Sequence, residues 1–176
     1  MKHSKHVFSV LIIIVICIVA LFLSGVIRDA KKGSGTVAEN GTQNVTYQHG
    51  DGSFAFVFPT DFTFTALPDS GDNTETVMFK GNSEKRSFQM YISPWDISDS
   101  VTLPKIKTDL PELDIKEPLE ISIDGARGVI FMSEEKGTGL VTREIWFSHG
   151  ERFFQISTYK EFDDTMVDIL STWKWQ

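Results

Sequence analysis

Between positions 69 and 75 the chain reads Asp-Ser-Gly-Asp-Asn-Thr-Glu, three carboxylates and an amide in a glycine-containing stretch. Hard cations such as calcium take oxygen ligands of this kind. The spacing of Asp69, Asp72 and Glu75 does not follow the EF-hand loop, and an acidic, solvated turn between strands is the simpler reading. Histidines stand at 49 and 149 in the C-terminal part, one at its entry and one in a turn. Either is a candidate ligand or base, although a turn histidine is usually just solvated. Carboxylates also pair at Glu134-Glu135 and gather at Asp163, Asp164 and Asp168, but in polar runs rather than apolar pockets, so nothing marks one for a raised pKa. The single cysteine, Cys17, lies in an apolar run, which excludes cysteine catalysis. No phosphate loop, nucleophile elbow, zinc-ligand spacing or dinucleotide fingerprint occurs. Trp95, in Pro94-Trp95-Asp96, is the candidate contact residue. A loop indole anchors a partner protein or stacks on a sugar; the other reading is that it folds back over a sheet edge.

These residues belong to a chain of 176, with 17 Lys and Arg against 24 Asp and Glu and 41% hydrophobic content. The averages conceal distinct pieces. Residues 1–6 are a short polar start. Residues 7–27, which open on Val7 and close on Ile27, hold 21 positions without a charge. As a helix they would span about 31 Å, the thickness of a bilayer's hydrocarbon core. The run is longer than the apolar stretch of a cleaved signal peptide and lacks a small-x-small site, so an uncleaved single-pass anchor is expected. Lys2 and Lys5 before it balance Arg28, Lys31 and Lys32 after it, and the positive-inside rule barely votes. The cysteine-free C-terminal part and the tether-like Gly33-Ser34-Gly35-Thr36 favour an extracytoplasmic domain on a cell membrane. Residues 28–46, rich in Gly, Ser, Thr, Asn and Ala, read as a flexible linker.

The expected domain, residues 47–176, carries 12 Lys and Arg against 22 Asp and Glu, a net charge of −10. That excludes a nucleic-acid binder working through a basic surface, and the lack of cysteine pairs excludes a disulfide-stapled scaffold. Its length suffices to bury a core. Large apolar residues alternate at Phe54, Phe56 and Phe58, at Phe88, Met90 and Ile92, at Ile145 and Phe147, and at Phe154 and Ile156, which predicts strands with one face on a core. Lys136-Gly-Thr-Gly139 and Ser148-His-Gly-Glu151 read as hairpin turns. Leu103, Ile106 and Leu110 predict a short helix with Thr102 as N-cap and Pro104 early in it. Phe162, Met166, Ile169, Leu170 and Trp173 predict a second helix, with Thr158 and Glu161 as a capping box. The order gives an α+β domain, a largely antiparallel sheet covered by helices, behind an N-terminal transmembrane helix.

Three segments carry a resemblance. The opening Phe54-Ala-Phe-Val-Phe-Pro59, the central Ile121-Ser-Ile-Asp-Gly-Ala-Arg-Gly128 and the closing Asp168-Ile-Leu-Ser-Thr-Trp-Lys-Trp175 are similar to the start, middle and end of the PsbP-like domain. The resemblance runs from Tyr47 to Trp175 and implies an α/β/α sandwich, as met in photosystem extrinsic subunits and in membrane-anchored bacterial proteins. Phe58 stands where that pattern has Tyr, and tryptophans replace its closing phenylalanines. The matched positions are core and turn residues, so no functional site carries over. The expectation is a non-catalytic interaction or assembly domain, held to the lipid bilayer by residues 7–27 and meeting a membrane or envelope protein. A small-ligand, calcium or glycan module using Trp95 or the 69–75 loop is the runner-up, and an enzyme of unrecognised type comes third. No cofactor and no nucleic-acid partner is expected.

Overall fold

A computed structural model describes residues 36–40, 44–67, 73–83 and 85–176. The expected anchor and the residues Asp69 and Asp72 lie outside them. No helix among the described residues is long and apolar enough to cross a membrane.

Among the described residues, eleven strands and two α-helices follow one another. They are β1 (Thr36–Asn40), β2 (Asn44–Gln48), β3 (Phe54–Pro59), β4 (Thr63–Ala66), β5 (Glu75–Lys80), β6 (Ser87–Pro94), α1 (Leu103–Asp109), β7 (Lys116–Ile123), β8 (Ala126–Glu134), β9 (Val141–His149), β10 (Arg152–Tyr159), α2 (Asp163–Ser171) and β11 (Lys174–Trp175). A 3-10 turn at Lys160–Phe162 leads into α2. The main sheet has seven strands in the order β4-β5-β6-β10-β9-β8-β7, and a smaller sheet has the order β1-β2-β3-β11. Every recorded pair is antiparallel.

The alternation read from the sequence decides what each face of the main sheet buries. One face sends Val77, Phe79, Phe88, Met90, Ile92, Ile145, Phe147, Phe154 and Ile156 into the larger core. Tyr47, Phe54, Phe56 and Phe58 of the smaller sheet, with Met166, Ile169 and Trp173 from α2 and its exit, close that core from the other side. The opposite face buries Tyr91, Val129, Phe131, Trp146 and Phe153 under Ile106 and Leu110. The domain is thus α+β, as expected, but a second sheet shares with α2 the work of covering the main one.

Helix α1 starts as predicted: the Thr102 hydroxyl accepts from the Lys105 amide at 3.4 Å, and Pro111 follows its C-cap residue Leu110. The α2 capping box does not form. Thr158 is a buried β10 residue whose hydroxyl donates to the Ser87 carbonyl at 2.8 Å, because β10 continues to Tyr159 before the chain turns. The start of α2 is fixed instead by Arg143 of β9, whose guanidinium grips both Asp163 carboxylate oxygens. Within the stretch read as linker, Thr36–Asn40 pairs with β2, so regular structure begins before the boundary expected at residue 47.

At the far edge of the main sheet, β7 pairs with β8 through a register break between Lys116 and Leu119. Within that break Glu117 has φ of 51° and is followed by Pro118.

Candidate functional site

Tyr47 and His49 stand two residues apart, so the pleat sends both side chains toward the larger core. A tight turn follows: the Gly52 amide donates to the His49 carbonyl at 2.8 Å, and the His49 amide donates to Phe54 at 3.0 Å. Gly52, at φ 75°, takes a backbone conformation that L side chains avoid. Asp51 folds back within this turn and accepts the Ser53 amide at 2.9 Å.

That turn brings His49 between two carboxylates. Its Nδ1 lies 2.7 Å from Asp51 Oδ1 and its Nε2 lies 3.0 Å from Glu75 Oε2 at the start of β5. The ring is 4% exposed and stacks on Phe54 at 4.7 Å. Arg152, the first residue of β10, donates to the other Asp51 oxygen and, at 2.9 Å, to the Ser53 hydroxyl. The result is an alternating chain of charges, Glu75–His49–Asp51–Arg152, running from the main sheet to the small one and back.

Electrostatics follow the contacts. Burial works against charge on His49, yet its bonds to Glu75 and Asp51 outweigh it and the pKa is raised above the ordinary 6.5. Burial likewise opposes the Asp51 charge, but Arg152, Ser53 and His49 hold this carboxyl far below its usual range. The bond to His49 lowers Glu75. The Tyr47 phenol, buried and facing both carboxylates, is pushed up.

Above this chain the two sheets part into an open cleft of about 860 Å³, lined among others by Glu75, Ile92, His149, Arg152, Phe154 and Trp175. Register explains the grouping. Glu75 pairs with Ile92, and Arg152 pairs with both Pro94 and His149, and cross-strand partners share a face. Trp175 closes the opposite wall; its indole N–H donates to the Ile123 carbonyl, and His149 stacks on it at 4.0 Å. With both His49 nitrogens engaged by carboxylates, the ring is not poised as a base or nucleophile.

Of the residues singled out in the sequence, His49 and Glu75 meet at this site and His149 lines its rim. Among the described residues, no group of three or more His, Cys, Asp or Glu side chains is arranged to hold a metal ion. Trp95 lies against the other face of the main sheet: it is half-buried, stacks on Phe153 at 5.1 Å, and donates to the Asp99 carbonyl at 3.0 Å. The structure therefore does not bring Trp95 and Glu75 together. A further buried carboxylate, Glu144, escaped the sequence reading. It is 3% exposed, and burial raises its pKa although Ser157, Trp146, Thr142 and Gln155 all donate to it. Its position two residues before Trp146 on an alternating strand was the available signal.

No family model and no curated protein matches this sequence. Among solved structures, the chain is similar to the solution structure of cyanobacterial PsbP (CyanoP) from Synechocystis sp. PCC 6803, at a TM-score of 0.53 and 13% identity. The match covers 81% of this chain and 98% of that one. A crystal structure from Bacteroides thetaiotaomicron VPI-5482 matches at a TM-score of 0.49 and 12% identity, over 83% of this chain and 49% of that one. The fold is PsbP-like.

Proposed function

We propose that this chain is a membrane-tethered, non-catalytic interaction domain that meets a partner protein of the membrane or envelope through the cleft between its two sheets. The observation that carries the reading is the Glu75–His49–Asp51–Arg152 chain. It spends both imidazole nitrogens on holding the cleft's wall and leaves charged and aromatic groups facing outward. The uncharged residues 7–27 support tethering to the lipid bilayer, and the tether-like composition after them supports a domain outside the cytoplasm. A small polar ligand in the same cleft is the second reading, favoured by a volume within the range of ligand pockets, about 300–1,000 Å³.

A photocrosslinking amino acid placed at positions 66 and 176, both on the cleft, and at exposed position 108 on α1 tests the first reading in membranes carrying the full chain. A discrete protein adduct from 66 and 176 but not from 108 is expected. Adducts from 108 alone, or from none of the three, would sink it.

A further inference from the structure

We infer that His49 is a proton-operated latch between the two sheets at the cleft: as an imidazolium it ties the β2–β3 turn to β5, and as a neutral ring it releases Glu75. As a regulator of binding, this latch rests on the reading of the cleft as the contact surface.

The geometry fixes the protonation state of the closed form. An ionised carboxylate only accepts hydrogen bonds, and a neutral imidazole has one donor and one acceptor. Here both ring nitrogens face carboxylate oxygens, at 2.7 and 3.0 Å, so both must carry a proton. When one proton leaves, one contact sets lone pair against lone pair. Asp51 is anchored independently by Arg152 and the Ser53 amide, which keeps the remaining proton on Nδ1 and breaks the Nε2 contact to Glu75.

The charged and titratable groups around the ring are Asp51 from its own turn, Glu75 from β5, Tyr47 one step back along β2, and Arg152 from β10 behind the carboxylates. β3 contributes the Phe54 ring. Glu75 and Arg152 also line the cleft, so the proton on His49 is coupled to its shape. The amides best placed to report opening are Gly52, bonded to the His49 carbonyl, and Gln176, bonded to the Ser53 carbonyl at 3.0 Å.

The test uses the full chain in detergent micelles with 13C-labelled histidine and amide hydrogen exchange. The His49 resonance is assigned by its loss in His49→Gln or, if that variant does not fold, by elimination with His3→Gln, His6→Gln and His149→Gln. It should titrate above the free-imidazole midpoint. Protection of the Gly52 and Gln176 amides should fall across the same midpoint, by about tenfold for every pH unit by which it exceeds the free value. In Glu75→Gln the midpoint should drop and the protection should cease to follow it. A His49 midpoint at or below the free value, or protection flat through it, overturns the latch. Crosslinking from position 66 on either side of the midpoint separates the two ideas. No adduct at either pH removes the binding reading while the latch stands, and equal yields at both pH values overturn its regulatory role.

Discussion

Four titratable side chains in this molecule pull its stability in opposite directions along the pH scale. Asp51 and Glu75 have lowered pKa values, so what they contribute is present above their ordinary range near 4 and is lost as pH falls. His49 has a raised pKa, so its contribution is full below 6.5 and disappears as pH rises through the folded value. Glu144, raised by burial, also favours acid, because above its ordinary 4.5 the unfolded state gives up the proton that the native state keeps. The thermal midpoint is therefore expected to peak at about pH 4.5–6.5 and to decline toward pH 9; a midpoint rising from pH 6 to 9 would contradict these assignments. Glu144→Ala takes the shared acceptor from the buried Gln155 amide and from Ser157, and should cost about 3 kcal/mol in urea unfolding. A cost under about 0.5 kcal/mol would mean the donors find other partners. Glu75 and His49 each stand out in the sequence, one through its acidic neighbours and one as a candidate ligand or base, yet their meeting across 26 positions follows no local pattern.

At the scale of elements, period-two alternation located most strands because each buries one face, and glycine-containing breaks located the β8–β9 and β9–β10 turns. The Thr158–Glu161 pair failed as a cap because β10's pairing with β6 and β9 reaches through Thr158 and outcompetes a local side-chain bond. The small sheet was legible only in part, since β11 consists of two residues whose place is set by long-range contacts. The Trp175 amide and the Lys174 ammonium both bond Asp124, 51 and 50 positions away, at the β7–β8 turn. In that turn Gly125 has open space around it, whereas Gly128 does not: a Cβ there would sit 2.4 Å from the Trp146 carbonyl oxygen and 2.6 Å from Phe147 Cβ. Gly128→Ala is expected to lower stability by about 2–3 kcal/mol by forcing β8 from β9. Gly125→Ala, strained only by its φ of 89°, should cost about 1 kcal/mol. Urea midpoints of the two variants check the ranking, and equal losses would refute it.

Across the whole molecule, one aromatic core joins the sheets. Trp173, 1% exposed, stacks on Phe54 at 4.6 Å and on Phe56 at 5.0 Å, and meets Phe147 and Phe154 edge-on. Trp173→Ala should remove about 3–5 kcal/mol and much of the near-ultraviolet dichroism, whereas a loss below about 1 kcal/mol would show that the sheets do not depend on this ring. The fold was readable from sequence because burying so many aromatic rings leaves few arrangements of alternating strands. The site was not, because its charges meet only after two sheets have closed on each other. One further consequence lies at the outer margin of the main sheet. The break in β7, with Glu117 at φ 51° and Pro118 lacking an amide hydrogen, spoils the row of donors and acceptors that a sheet edge would offer to another chain, while Leu119 beside it is 65% exposed. Straightening that strand would turn a guarded margin into a template for another chain.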